Sequence, residues 1–196
     1  MLYIEPVTTQ AELNDVYRIR KMMYETRSPH VNLDDEFDAL QDEYSTIMLL
    51  KARAEPIATV RATPVMTNMT LLERLNLLPS DLVRRKDLVE VSRLAAIPGR
   101  LDDVPYSLIV LAAGAQYLLN RSDYRYFFAY CRSSLCRLYQ LVGAKKRGLS
   151  FTINGYGDIK FTLVEGSLSL AATVVSSSLQ WEMSEERLSL PTLTHV

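Results

Sequence analysis

The sequence predicts an α/β (α+β) fold, a mixed sheet with helices on both faces, on three observations. Strand-length apolar runs alternate with helix-period segments in the order β, α, ββ, β, α, β, α, β, β, for which a layered sheet is the usual solution. The chain has 196 residues, 48% of them hydrophobic, enough to bury one core. No repeat, low-complexity linker or shift in composition divides it, so residues 1–196 are expected to form a single domain.

Leu2–Val7 is the first apolar run. Thr8 and Thr9 then offer caps for a helix whose apolar positions Leu13, Val16, Ile19, Met22 and Met23 recur at helical spacing. Ser28–Tyr44 is acidic and weakly periodic, and is expected to be an irregular loop with a functional role. Thr46–Ala52 and Pro56–Val65, separated by a short polar turn, suggest an antiparallel hairpin. Asn68–Lys86 is polar and leucine-rich, with a short helix expected, and Leu88–Ala96 is the next strand. A long helix spans about Pro105–Asn120. The aromatic run Tyr124–Cys131 reads as a buried strand, and RSSLCRLYQLVGAKK as an amphipathic helix stopped by Gly143. FTIN and FTLVEGSLSLAATVV are expected to be late strands, before a short C-terminal helix around Trp181–Leu188.

Charge and composition remove several classes of function. A formal net charge of -1 gives no global attraction to nucleic acid or an anionic membrane, and no nucleic-acid reader motif is evident. The opening MLYIEPVTTQ lacks a basic segment followed by an apolar run, so a cytoplasmic protein is expected. The longest uncharged run, Val104–Asn120, is interrupted by Tyr106, Ser107, Gln116 and Tyr117 and falls short of the roughly 20 apolar residues of a membrane span, so no stable insertion is expected. Cys131 and Cys136 are too few for a disulfide framework, and with only His30 and His195 a metal site or a histidine-based triad has almost no material.

The chemistry concentrates in LVEVSRLAAIPGR, Leu88–Arg100, where one apolar strand carries Glu90, Ser92 and Arg93. Buried there, Glu90 would have its pKa raised toward neutrality and could act as a general base, directly or through a water. Alternatively it forms a structural ion pair with Arg93 or Arg61. Strand alternation puts Glu90 and Ser92 on one face and Arg93 on the other. Cys136 has no flanking histidine to activate it as a nucleophile. The apolar stretch from Leu101 to Tyr130 fits an ordinary core or the lining of a fatty-chain tunnel.

EVSRL on a central strand and CRLYQLVGAKK on the penultimate helix resemble the GNAT superfamily of acyltransferases, over nearly the whole chain. VYRIRKMMYETR, DDEFDALQDEY, IATVRATP and VEVSRLAAIP are most similar to the branch holding acyl-homoserine-lactone synthases and long-chain N-acyl amino acid synthases. The resemblance implies a mostly antiparallel, splayed sheet. It places Arg20, Tyr24, Asp35, Asp38, Arg61, Glu90, Ser92 and Arg93 at the branch's site positions, with the acids either clustering with Arg20 and Arg61 or solvating a loop. Tyr24 stands where phenylalanine is usual in the lactone synthases, and no tryptophan follows in the acidic segment. Both departures favour the amino acid synthases, the N-acyl-tyrosine type above all.

The resemblance further implies attack of an amino acid's α-amine on an acyl thioester, with Glu90 and Ser92 in the catalytic group and the amides of Leu94, Ala95 and Ala96 polarising the carbonyl. Tyr139 looks like the helix position that often protonates the departing thiolate, and half-buried packing is the other reading of it. Acetyl-CoA-using relatives carry a Gln/Arg-x-x-Gly-x-Gly/Ala loop for the diphosphate. Here IPGRLDDVPYS has one glycine and two aspartates that would repel it. The implied donor is therefore the acyl-phosphopantetheine of acyl carrier protein, a co-substrate, with no tightly bound cofactor. The acidic carrier would dock on basic residues flanking the cleft: Arg84, Arg85, Lys86, Arg100, Arg132, Lys145 and Lys146, with Arg137 and Arg147 beside them. Runs this short also occur as solvated faces. Two rivals remain: a lactone synthase using S-adenosylmethionine, and a catalytically silent acyl-carrier-binding module.

Overall fold

A computed structural model describes residues 2–27, 36–153, 157–176 and 182–183. In chain order the elements are β1 (Leu2–Pro6), α1 (Gln10–Arg27), α2 (Glu36–Glu43), β2 (Thr46–Ala52), β3 (Glu55–Pro64), α3 (Leu71–Arg74), α4 (Ser80–Val83) and β4 (Leu88–Ala96). The second half contributes β5 (Arg100–Leu101), β6 (Val104–Pro105), α5 (Tyr106–Arg121), β7 (Tyr126–Arg132), a 3₁₀ turn at Ser133–Leu135 and α6 (Cys136–Leu141). It ends with β8 (Lys145–Phe151), β9 (Phe161–Ser167), α7 (Leu168–Ser176) and β10 (Glu182–Met183).

The main sheet runs β10-β1-β2-β3-β4-β7-β9-β8. Its pairs are antiparallel except β1 with β10 and β4 with β7, which gives the mixed, mostly antiparallel sheet expected. Alternation divides the strands between two cores. Met48, Leu50, Ala58, Val60, Val89, Val91, Phe127 and Ala129 pack with α5, α6 and α7. On the other face Ile47 and Leu49 meet Val16, Ile19 and Met23 of α1, while Leu88, Phe128 and Leu163 meet Leu72 of α3 and Leu82 of α4.

Several elements differ from expectation. Residues 36–43 of the acidic segment are helical, whereas residues 28–35 lie outside the described residues. The inward positions of α2 are Asp38, Gln41 and Asp42, which repeat at helical spacing but are polar, so apolar periodicity cannot reveal the helix. LSLAATVV is helix rather than strand: Leu168, Ala171 and Ala172 are buried at i, i+3 and i+4 against α5. Lys145–Phe151 is the sheet's edge strand, mostly exposed and charged at its start, a composition that hides strand character and protects an edge from stray pairing. Asn68–Lys86 holds two one-turn helices, α3 and α4. Of FTIN, Phe151 closes β8 and Thr152 and Ile153 are irregular, while Asn154 is outside the described residues. Of Trp181–Leu188 only Glu182–Met183 is described, as a strand beside β1.

Candidate active site

The site begins with one extra residue in β4. Arg61 of β3 faces Ser92, yet Thr59 faces Ala95, so β4 spends three steps where β3 spends two. Arg93 absorbs the difference at φ 51, in the left-handed region, a conformation that a bulge tolerates in an otherwise extended strand. Before the bulge Leu88 packs on the α1–α4 side; after it Ala95 does. Ser92 and Arg93 therefore both project to that side, which corrects the expectation that Arg93 lies opposite Glu90 and Ser92. Pairing of β4 with β7 stops at Glu90 opposite Phe128, and beyond it the strands part.

The gap is a cleft of about 830 Å³ that communicates with both faces of the sheet. On the α1–α4 side it is bordered by Tyr24, Phe37, Asp38, Arg61 and Arg93, with Leu71 of α3 and Leu75 just after it. On the α5–α6 side it is bordered by Ile97, Tyr106, Leu138 and Tyr139. Leu94, Ala95 and Ala96 form the edge that β7 has left.

A buried polar cluster holds the first of these walls. Arg61 donates from Nε to Ser92 Oγ (3.1 Å), from NH1 to Asp38 Oδ1 (2.7 Å) and Asp42 Oδ1 (3.0 Å), and from NH2 to Gln41 Oε1 (2.9 Å). Arg20 pairs with Asp42 Oδ2 at 2.6 Å, and Arg93 Nε donates to Asp38 Oδ1 at 2.8 Å. Burial alone would raise the Asp38 pKa, but Arg61 and Arg93, with Arg20, outweigh it and hold the carboxyl below its ordinary value. Tyr24 donates its hydroxyl to Leu94 O (3.2 Å), which ties α1 to the bulged strand. Asp35 lies outside the described residues. Gln41 and Asp42 are cluster members that the sequence reading missed; their spacing from Asp38, i+3 and i+4, was the available signal.

Glu90 sits one alternate position before Ser92, fully buried, beneath the cleft rather than on its surface. Among the described residues no group donates a well-formed hydrogen bond to either of its oxygens, and it forms no ion pair, so it is not the structural partner of Arg61 or Arg93. Desolvation lifts its pKa to about 7 against the opposing pull of Arg61, the Ser92 hydroxyl and Arg93.

Tyr139 reaches the cleft from α6 although it is nearly buried, and burial, then the neighbouring Cys131, Tyr24 and Glu90, push its phenol pKa up. The thiols of Cys131 and Cys136 are free, buried and 3.4 Å apart, and burial with the neighbouring thiol raises the Cys131 pKa as well, the opposite of an activated nucleophile. Among the described residues no three His, Cys, Asp or Glu side chains are grouped to hold a metal ion.

The basic residues divide. Arg100 and Arg132 border the cleft mouth, and Arg137 is exposed on α6. Arg84, Arg85 and Lys86 precede β4 and so lie at its far end, about 25 Å along the strand from the mouth. Arg85 is also engaged by Asp87 and Glu165 and stacks over Tyr126. Lys145 and Lys146 occupy the edge strand, Lys145 in register with Glu165 and so level with Phe128 and Glu90 rather than the mouth; Arg147 pairs with Glu165 and Asp81.

The mouth itself is a two-residue hairpin, β5–β6, turned by Asp102 and Asp103 at positive φ. The Tyr106 amide at the start of α5 donates to Gly99 O (3.1 Å), and the Tyr106 ring lies against Gly99 so closely that a Cβ there would meet it at 2.3 Å. The backbone amide at the start of α5 is thus already bonded within the chain.

No protein-family model and no curated protein matches the sequence. Solved structures do match in fold. FeeM, an N-acyl amino acid synthase from uncultured soil microbes, gives a TM-score of 0.70 at 16% identity, over 86% of this chain and 91% of its own. The AHL synthase LasI gives 0.62 at 15% identity, over 93% and 98%. BjaI, a CoA-dependent acyl-homoserine lactone synthase solved with S-adenosylmethionine and isopentyl-CoA, gives 0.63 at 14% identity, over 93% of each chain. The chain has a GNAT-type fold, in which a mostly antiparallel sheet is flanked by helices on both faces.

Proposed function

We propose that the protein is an N-acyltransferase that moves a long-chain fatty acyl group from the phosphopantetheine thioester of acyl carrier protein to the α-amine of an amino acid, tyrosine being the favoured acceptor. The observation that carries this reading is a cleft open to both faces of the sheet with a fully buried carboxyl of pKa about 7 under its floor. Donor and acceptor can approach such a cleft from opposite sides and meet at the bulge. The likeness to an N-acyl amino acid synthase supports the same chemistry.

The amine lone pair attacks the thioester carbonyl carbon, and backbone amides of Leu94–Ala96 on the edge that β7 has left stabilise the developing oxyanion. The C–S bond breaks and an amide forms. Because Glu90 does not reach the cleft surface, it takes the ammonium proton through the Ser92 hydroxyl or a water. The thiolate leaves beside Tyr139. A phenol above its ordinary pKa is a weaker acid than a thiol of pKa about 8.5, so Tyr139 donates a hydrogen bond and solvent supplies the proton. Tyr139→Phe should accordingly lower kcat only about tenfold, the worth of one hydrogen bond, read as thiol release in a single turnover.

The crowded diphosphate position at Gly99, Tyr106 and the Asp102–Asp103 turn favours a carrier-borne donor over CoA. Arg100 and Arg132 at the mouth are then the docking cations, and Arg84–Lys86 are not. Arg100→Glu should raise the KM for acyl carrier protein roughly tenfold and flatten its salt dependence, whereas Lys86→Glu should change neither.

The lactone synthase is the second reading, favoured by the Arg20, Asp38, Arg61 and Arg93 cluster at positions the lactone synthases share and by the fold of LasI. Thiol release from long-chain acyl carrier protein, followed with and without pooled amino acids, tests the transferase: release should require the amine. A thioester left intact with every amine would make the protein a silent carrier-binding module.

A further inference from the structure

We infer that Arg93 reads the carboxylate of the acceptor, so that the cleft takes free α-amino acids and rejects the same amines lacking a carboxylate. This rests on the transferase reading above and names what that site recognises.

The three guanidiniums of the cluster differ in what they have left to offer. Arg61 spends all three nitrogens, on Ser92, Asp38, Asp42 and Gln41. Arg20 is 1% exposed and stands outside the cleft wall. Arg93 alone among them borders the cleft with only Nε engaged; among the described residues its two terminal nitrogens donate to nothing.

Those two nitrogens are held in a set direction. Asp38 grips the guanidinium at Nε, and the Tyr24 ring lies 5.8 Å from its central carbon. Tyr24 is itself fastened to Leu94 O. A planar guanidinium fixed at one edge presents the other as a fork that matches a carboxylate's two oxygens. The side chain is 13% exposed, so such a pair would be largely shielded from water.

Among the described residues the ion pairs of Arg20, Arg61 and Arg93 are to Asp38 and Asp42, and neither carboxylate engages the terminal nitrogens of Arg93. Since Arg93 and the amides of Leu94–Ala96 are consecutive in β4, a carboxylate on Arg93 leaves the α-amine, on the adjacent carbon, beside the place where those amides would hold the thioester carbonyl. The extra residue in β4 is what turns Arg93 toward this position, so the bulge both parts the strands and aims the cation.

A site built for an anion and offered a neutral analogue discriminates by roughly 10²-fold or more. The test supplies wild-type protein and long-chain acyl carrier protein with either the twenty amino acids or their α-carboxamides, and quantifies N-acyl products by mass spectrometry. The expected result is product from the acids, with kcat/KM for the matching carboxamide lower by about 100-fold or more. In Arg93→Gln the gap should close to within a few-fold, through a raised acceptor KM and with the carrier KM unchanged, and Arg93→Lys should restore part of it. Equal use of acids and carboxamides by the wild type, which needs no variant to fold, would overturn the inference while leaving the transferase intact. So would an undiminished gap in Arg93→Gln. No N-acyl product from either pool would overturn the transferase reading and this inference together.

Discussion

Glu90→Gln is expected to lower kcat by about 10² to 10⁴ while making the protein more stable at pH 8. Both effects come from one environment. The carboxyl is fully buried, receives no well-formed hydrogen bond among the described residues and has a pKa of about 7. Since the folded-state value lies above the reference of 4.5, the folded protein holds the extra proton between those two values, and stability falls as pH rises through that window. A displacement of this size corresponds to about 3 kcal/mol lost by pH 8, which glutamine, with no charge to desolvate, does not lose. At pH 5 wild type and variant should melt alike; at pH 8 the variant should melt several degrees higher. The acid limb of the wild-type kcat/KM profile near pH 7 should disappear in the variant. A residue of purely structural value would behave the opposite way on replacement, and unchanged turnover would remove Glu90 from the mechanism.

Asp38→Asn should destabilise the protein by about 3–5 kcal/mol, because it leaves buried guanidinium charge uncompensated. Asp38 Oδ1 serves both Arg61 and Arg93, at 2.7 and 2.8 Å, and Asp42 reaches only the first of them. The pH dependence has the reverse sign to that of Glu90. The folded-state pKa of Asp38 is depressed, so its contribution is full above the unfolded value of about 3.9 and lost as pH falls through the folded one. Urea unfolding at pH 7 should show the loss as a lowered midpoint, and acidification below pH about 4 should narrow the gap between wild type and variant. Midpoints that coincide at pH 7 would mean that Asp42 and Gln41 suffice to hold the arginines.

The parts of this architecture legible in the sequence were those written in apolar periodicity. Thr46–Ala52, Glu55–Pro64 and Leu88–Ala96 alternate or run apolar, and their pairing follows from short connections. Glu90 was conspicuous because a carboxylate in such a run has either a partner or a task. The acidic helix α2 was not legible, since its inward face is ion-paired and carries no hydrophobic signal. Nor was the face of Arg93: a bulge inserts one residue without any glycine to mark it, and strict alternation then sends the side chain the wrong way. LSLAATVV illustrates the ambiguity of a short apolar run, which small residues at i, i+3 and i+4 resolved as a helix only once α5 was there to receive it. Distance along a strand, finally, is invisible to charge counting. Arg84–Lys86 and Arg100 lie a few positions on either side of β4, yet the length of β4 puts one group at the cleft and the other at the far end of the sheet.

The measurement that bears most directly on the proposed transferase is the mass of the product formed from purified protein, long-chain acyl carrier protein, the common amino acids and S-adenosylmethionine together. An N-acyl amino acid is the predicted product, and its mass names the acceptor. An acyl lactone, or a thioester that stays intact on a bound carrier, would contradict it.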